Sequence, residues 1–155
     1  MSADQRFEEL GIELPPAPKA VGVYKSAVTV GNLCHTSGHV PLLPDGTMML
    51  GCVGKDGAGI EEGYASARQC GLAMIATLKD HLGSLDKIKR VVKVVGMVNS
   101  VPEFTEHPAV VNGVSELFRD IFGEDAGVGA RSAVGMSGLP KGIMCEVEAI
   151  FELND

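Results

Sequence analysis

Residues 131–150 read RSAVGMSGLPKGIMCEVEAI, a stretch that predicts β structure on both sides of a turn and contains two candidate functional residues. An apolar, β-prone run leads into Leu139–Gly142, where proline and glycine are typical of a turn. Strict alternation then continues to Leu153 and predicts a strand with two distinct faces. The stretch therefore predicts an antiparallel hairpin. One face of the last strand would carry Ile143, Cys145, Val147, Ala149, Phe151 and Leu153, and the other Met144, Glu146, Glu148, Ile150 and Glu152.

Strand and helix signals precede this stretch. Apolar residues at steps of three and four predict two main helices, and a β-branched apolar run predicts a strand covered on both faces. The order of elements predicts an α+β fold, with two main helices packed on one face of a mixed sheet. The predicted elements are a short acidic helix at 3–10, a hairpin within 24–38, a helix at 60–82, a strand at 90–98 and a helix at 108–122.

Length and composition are those of a globular chain. It has 155 residues and a mass of 16.2 kDa, with 45% hydrophobic and 21% charged residues. A chain of this size can bury a core without disulfides or metals. We expect one domain over residues 1–155, with residues 1–20 as an N-terminal extension that contains the short helix.

Charge, the length of apolar runs and cysteine spacing argue against several classes of protein. Thirteen basic against 20 acidic residues give a formal charge of −7, which argues against a nucleic-acid partner. No apolar run reaches the ~18 residues of a membrane span, and the polar N-terminus does not resemble a signal peptide. Four irregularly spaced cysteines indicate reduced thiols. These features favour a cytoplasmic protein with neither a membrane nor a nucleic-acid partner.

Common catalytic motifs are absent from the sequence. It contains no Gly-Lys-Ser/Thr phosphate loop and no Gly-x-Ser-x-Gly nucleophile elbow. His35 and His39 are four residues apart, but on a predicted strand end this spacing spans roughly 13 Å and does not favour a shared metal. No metal site is therefore expected.

Arg131 and Glu146 are the two side chains with the clearest chemical potential. Arg131 stands among Ala130, Ser132 and Ala133, where small neighbours leave room for a carboxylate ligand, and such charge-assisted bonds are worth ~1.5–3 kcal/mol. The alternative is a solvent-facing arginine at a strand end. For Glu146 the alternative is a solvated polar face, which is common in antiparallel sheets.

The motifs together resemble the reactive-intermediate deaminase family, RidA/YjgF, over residues 20–153. Arg131 to Val134, the Leu139-Pro140 turn and Glu146 to Ile150 match the family signature in type and spacing. Residues 31–41 and 108–118 resemble two further family segments, and the overall pattern resembles a longer bacterial subgroup. The resemblance implies a chorismate-mutase-like fold assembled as a homotrimer, with a small carboxylate substrate bound in clefts between subunits.

The resemblance also implies roles for individual residues. Arg131 would hold the substrate carboxylate, and Glu146 would position or activate water. Ala133 occupies a position that is often cysteine in the deaminases, and His39 replaces the usual glutamine. The residues implied to bind substrate or support the site are Tyr24, Ser37, Gly38, Asn112 and Ala133.

The predicted hairpin register can be compared with this assignment. It places Gly135 opposite Glu146 and Arg131 opposite Ile150, so that Arg131 and Glu146 share a face but lie roughly 13 Å apart. One chain could not bring both groups to a small substrate, whereas two subunits could. This register therefore predicts an intersubunit site.

The leading functional hypothesis is hydrolytic deamination of reactive 2-enamines and 2-imines, such as 2-aminoacrylate, to 2-keto acids and ammonia. No metal or organic cofactor is needed, because the imine carbon is already electrophilic. The alternative is a non-catalytic protein that binds small carboxylates or 2-keto acids. A third reading, ribonuclease, follows an older label within the family, and the negative charge weighs against it.

Overall fold

The computed structural model describes all 155 residues, with elements in the order that the sequence predicts. The predicted helices and the N-terminal hairpin are confirmed. None of the helices combines the length and apolar character required to span a bilayer. The elements are α1 (Ala3–Leu10), β1 (Ala27–Val30), β2 (Leu33–Thr36), α2 (Ile60–Leu82), β3 (Ile88–Asn99), α3 (His107–Phe122), β4 (Ala130–Met136) and β5 (Cys145–Leu153), with 3-10 turns at Leu85–Lys87 and Pro140–Gly142.

The five strands form one sheet in the order β1-β2-β5-β3-β4. β3 and β4 run parallel and the other pairs antiparallel, so the sheet is mixed, as predicted. The predicted hairpin between residues 131–137 and 143–153 is wrong. β3 lies between β4 and β5, pairing Val94 with Arg131 on one side and Met97 with Glu146 on the other.

Burial explains why β5 and β4 are separated. Cys145, Val147, Ala149 and Phe151 are at most 4% exposed, and a strand with such an apolar face is stabilised by a place inside the sheet. β4 has no buried residue and suits an edge. Because α3 connects β3 to β4, the three elements form a β-α-β unit, whose strands run parallel. The Pro140–Gly142 turn is real, but β5 passes β4 and enters between β2 and β3.

The helices α2 and α3 pack on one face of the sheet and enclose the core. Their close approach requires Gly113, because a Cβ at this position would collide with the backbone carbonyl of Tyr64. The other sheet face is uncovered in the single chain, and Val95 and Met97 of β3 are only partly buried there. Coverage of residues 90–98 on both faces, as predicted, is therefore not present within one chain.

Candidate functional site

An open cleft of about 840 Å³ contains four of the predicted site residues, Tyr24, Ser37, Gly38 and Glu146. It forms where residues 18–26 and the segment after β2 meet the start of β5. The wall also includes two lysines and a second glutamate. Further lining residues are Lys19, Val21, Met48, Lys141 and Glu148.

Glu146 lies on the uncovered face of the sheet, beside Met97 of β3. No side chain of the chain pairs with its carboxylate. Burial, and secondarily the negative charge of Glu148, raise the pKa of Glu146 above its usual value. The raised pKa makes the ionised carboxylate a stronger base, which is better suited to take a proton from water and return it.

The hydroxyl groups of Tyr24 and Ser37 each form a hydrogen bond with a nearby backbone group. The Tyr24 hydroxyl accepts from the Val21 amide over 3.3 Å, which leaves its O–H free to donate. The Ser37 hydroxyl donates to the carbonyl of Lys25, so that its oxygen can only accept from a ligand. The two hydroxyls thus offer the cleft one donor and one acceptor.

His39 is a residue whose role the sequence reasoning missed. It belongs to the wall of the cleft but is only 3% exposed, and its ring is hydrogen-bonded to the Ser37 carbonyl and the Thr77 hydroxyl. His35 is exposed on β2, and the two histidines share no metal geometry. No group of three or more His, Cys, Asp or Glu side chains in the chain is placed to hold a metal ion.

A second cluster surrounds Arg131 on the helix-covered face of edge strand β4. Arg131 Nη1 donates to Asn112 Oδ1 over 2.8 Å and to Ser115 Oγ over 3.1 Å. Its Nη2 donates to the Pro108 carbonyl over 3.3 Å. Three of the five guanidinium N–H donors are thereby used, and two, including Nε–H, remain free. No carboxylate of the chain neutralises this cation.

Sequence reasoning placed Asn112 in the site but missed Ser115 and the Pro108 carbonyl. Positions 108, 112 and 115 follow the i, i+4, i+7 spacing of one helix face, which is the signal that points to them. Asn112 acts here as an acceptor that orients Arg131. Ala133 lies two residues from Arg131 on the same strand face, opposite Gly96, and its methyl group packs against the core.

The two clusters lie apart within one chain. Arg131 faces the helices with Val94, whereas Glu146 faces away from them with Met97, so the prediction that they share a face is wrong. They are separated by two strand spacings and by three residues along β3, roughly 14 Å in the sheet. The cause of the error is the inserted strand β3. The conclusion that one chain cannot bring both groups to a small substrate still holds.

The chain is an α+β protein whose mixed sheet carries the Arg131 cluster at its edge and the cleft with Glu146 on its open side. Comparison with known proteins extends this class along nearly the whole chain. The family model described as "YjgF/chorismate_mutase-like, putative endoribonuclease" matches residues 4–153. The chain belongs to the YjgF/RidA family.

Relatives of known name cover most of the chain. Protein TCP17 of Trypanosoma cruzi is 43% identical over 149 residues, 96% of this chain and 92% of that protein. The 2-iminobutanoate/2-iminopropanoate deaminase of Salmonella typhimurium is 34% identical over 135 residues, 86% of this chain and 90% of that enzyme. The crystal structure of a "putative endoribonuclease" from Shewanella oneidensis MR-1 has a TM-score of 0.92 and 34% identity, and the match covers 99% of this chain and all of that one.

Proposed function

We propose that the chain hydrolyses reactive 2-imino acids, and enamines that tautomerise to them, to 2-keto acids and ammonia. The observation that carries the proposal is the Arg131 cluster. A cation held by Asn112, Ser115 and the Pro108 carbonyl, with free N–H donors and no carboxylate partner, is suited to a ligand carboxylate. A deaminase named for 2-imino acids is 34% identical to the chain.

The proposed chemistry requires one carboxylate and one water. Arg131 fixes the substrate carboxylate and thereby aims the adjacent C=N carbon. Glu146 takes a proton from water as the water oxygen bonds to this carbon and the C=N π electrons move to nitrogen. Glu146 then returns the proton to nitrogen. The tetrahedral adduct now carries a hydroxyl and an amino group, and Glu146 relays the hydroxyl proton to the amino nitrogen. The C–N bond then breaks, ammonia leaves, and the oxygen becomes the carbonyl of the 2-keto acid.

The proposed catalytic unit is a homotrimer with sites between subunits. The separation and opposite facing of Arg131 and Glu146 support this arrangement, because the groups can converge only from different chains. The uncovered sheet face offers apolar surface for such contacts, including Val28 and Val134, which are 44% and 40% exposed. Tyr24, Ser37 and Gly38 would line the Glu146 side of the site, and Asn112 and Ala133 the Arg131 side.

Binding without turnover is the second candidate function. The Arg131 cluster is complete within one chain and needs no contribution from Glu146 to hold a carboxylate. Such a protein would sense or buffer small 2-keto acids. An endoribonuclease, the activity in the family description, would have to overcome a formal charge of −7 to approach phosphates.

Ammonia release from freshly generated 2-aminoacrylate tests the proposal. The wild-type chain is expected to accelerate release, and Arg131→Ala and Glu146→Gln are expected to abolish most of the acceleration. Calorimetry with pyruvate measures binding in parallel. Pyruvate binding that depends on Arg131, without any acceleration of ammonia release, would replace the deaminase proposal with the binding protein.

A further inference from the structure

The imidazole of His39 joins the back of the cleft to the helix α2. Its Nδ1 lies 2.7 Å from the carbonyl oxygen of Ser37, and its Nε2 lies 2.7 Å from Thr77 Oγ1. The backbone of His39 is fixed as well, through a reciprocal pair of hydrogen bonds with Val147 of β5. Residue 39 lines the cleft, but it is only 3% exposed, so little of its surface is open to a ligand.

The partners of the ring determine its protonation. A carbonyl oxygen only accepts, so Nδ1 carries the proton and donates to Ser37. Nε2 is then the acceptor, and the Thr77 hydroxyl donates to it. Burial lowers the pKa of His39, which favours this neutral ring. Both ring nitrogens are therefore occupied by hydrogen bonds to Ser37 and Thr77, and neither is left for proton transfer with a substrate.

Ser37 is fixed by three hydrogen bonds. Its amide donates to the Ser26 carbonyl over 2.9 Å, its hydroxyl donates to Lys25, and its carbonyl accepts from His39. Gly38 lies between this fixed residue and His39. The closeness of Gly38 to the Glu146 carboxyl group, which leaves no room for a Cβ, therefore depends on both neighbours.

We infer that His39 is a positioning residue, which ties Ser37 to α2 and so holds Gly38 in the place that sets the Glu146 carboxylate. The inference rests on the proposed role of Glu146 in the chemical step. Loss of the ring bonds should then lower kcat rather than raise KM, because His39 lies near the base and away from the carboxylate-binding arginine. Glutamine carries one donor and one acceptor on its terminal amide and should restore both bonds, whereas leucine fills space and makes neither.

The experiment compares His39→Leu, His39→Gln and Thr77→Val in the full chain. The His39→Leu variant is expected to lose about tenfold or more in kcat for 2-aminoacrylate, with KM changed less than about threefold. His39→Gln should recover most of the loss. Amide hydrogen exchange at Gly38 and His39 should speed up in His39→Leu and return towards the wild-type rate in His39→Gln. Thr77→Val keeps the ring but removes its donor, and it should show the same changes more weakly.

Several results would overturn the inference. One is a His39→Leu variant with wild-type kcat, and another is a loss of kcat that His39→Gln does not restore. If His39→Leu does not fold, Thr77→Val serves as the test. An unchanged kcat and unchanged amide hydrogen exchange in Thr77→Val would then overturn the inference. If the wild-type chain releases no ammonia, the proposed function fails separately. Amide hydrogen exchange at residues 38 and 39 then tests the inference by itself. Equal exchange rates in the wild type and in His39→Leu would show that His39 does not position this segment.

Discussion

Gly38 lies so close to Glu146 that a Cβ on residue 38 would fall 2.8 Å from Cδ and 2.9 Å from Oε2 of the glutamate. Real side chains do not approach this closely, so any larger residue at position 38 must displace the carboxylate. The displaced atoms are the end of a flexible side chain, and the fold itself can absorb the change. A substitution at position 38 should therefore affect the activity of the protein more than its stability.

Gly38→Ala is predicted to lower kcat for imine hydrolysis about 10- to 100-fold, because a small displacement of a catalytic group has a large effect on rate. The free energy of unfolding should change by less than about 1 kcal/mol. Gly138→Ala is the matched control, because a Cβ at Gly138 meets no atom within 4 Å. Kinetics and denaturant unfolding of both variants check the prediction, and equal kcat values in the two would refute it.

The Asn112→Asp variant tests whether the positive charge of Arg131 binds the carboxylate of a ligand. Aspartate keeps the acceptor at the 2.8 Å contact but pairs with the guanidinium and competes with a substrate carboxylate. We predict that kcat/KM falls about tenfold or more, mainly because KM rises, and that pyruvate binds more weakly. Ser115→Ala, which removes only a neutral acceptor, should have a smaller effect. An Asn112→Asp variant that binds pyruvate like the wild type would mean that Arg131 has a structural role only.

Glu146 should set an acidic limb in the pH profile of kcat/KM. Its carboxylate must be ionised to take a proton from water, so activity falls as pH drops through its pKa, which burial and Glu148 raise above 4.5. Glu148→Gln removes the second of these causes and should move the limb to lower pH. Rates measured across the acidic range in both proteins check this. A limb that stays in place or moves to higher pH would contradict the assignment of the base.

The buried ring of His39 predicts a pH-dependent stability. Its pKa is lowered in the folded state, so between that pKa and the ordinary value of 6.5 the unfolded chain binds more protons than the folded one. The contribution of His39 to stability is therefore full above pH 6.5 and decreases as pH falls towards the folded-state pKa. The slope is at most ~1.4 kcal/mol per pH unit.

His39→Gln isolates this effect, because titrations of other groups are common to both proteins. The unfolding free energy of the wild type, minus that of His39→Gln, should be constant well above pH 6.5 and fall as the pH drops below 6.5 towards the folded-state pKa. Urea unfolding at several pH values measures the difference. A difference that does not vary with pH would show that His39 is not held neutral.

Local patterns sufficed to predict the elements, because apolar spacing and turn residues report on burial within a few positions. They could not identify the neighbour of each strand. The turn at Pro140–Gly142 predicts that the two strands it joins are paired, but pairing is decided by how much apolar surface each strand buries. The apolar face of β5 takes an interior place, and the exposed β4 takes the edge. The β3-α3-β4 order does predict a parallel pair, and this rule was the better guide.

The candidate site was only partly accessible from sequence for the same reason. Resemblance supplied Arg131, Glu146 and their neighbours, because these residues stand in recognisable motifs. Thr77 and Ser115 stand in none, and each acts through a contact with a residue at least 16 positions away in the chain. The opposite facing of Arg131 and Glu146 depends on β3, so no local pattern could reveal it.

If one chain's Arg131 works with another chain's Glu146, mixed oligomers of two inactive variants should regain activity. Arg131→Ala and Glu146→Gln chains, co-expressed with different affinity tags and purified through both, should recover ammonia release that each variant alone lacks. Random assembly into trimers with sites between neighbours would restore about a quarter of all sites before selection by tags. Glu146→Gln mixed with the double variant is the control, because no site there has a wild-type glutamate. Ammonia release should exceed that of this control. Mixed oligomers as inactive as the separate variants would mean that Arg131 and Glu146 do not act together across a subunit boundary.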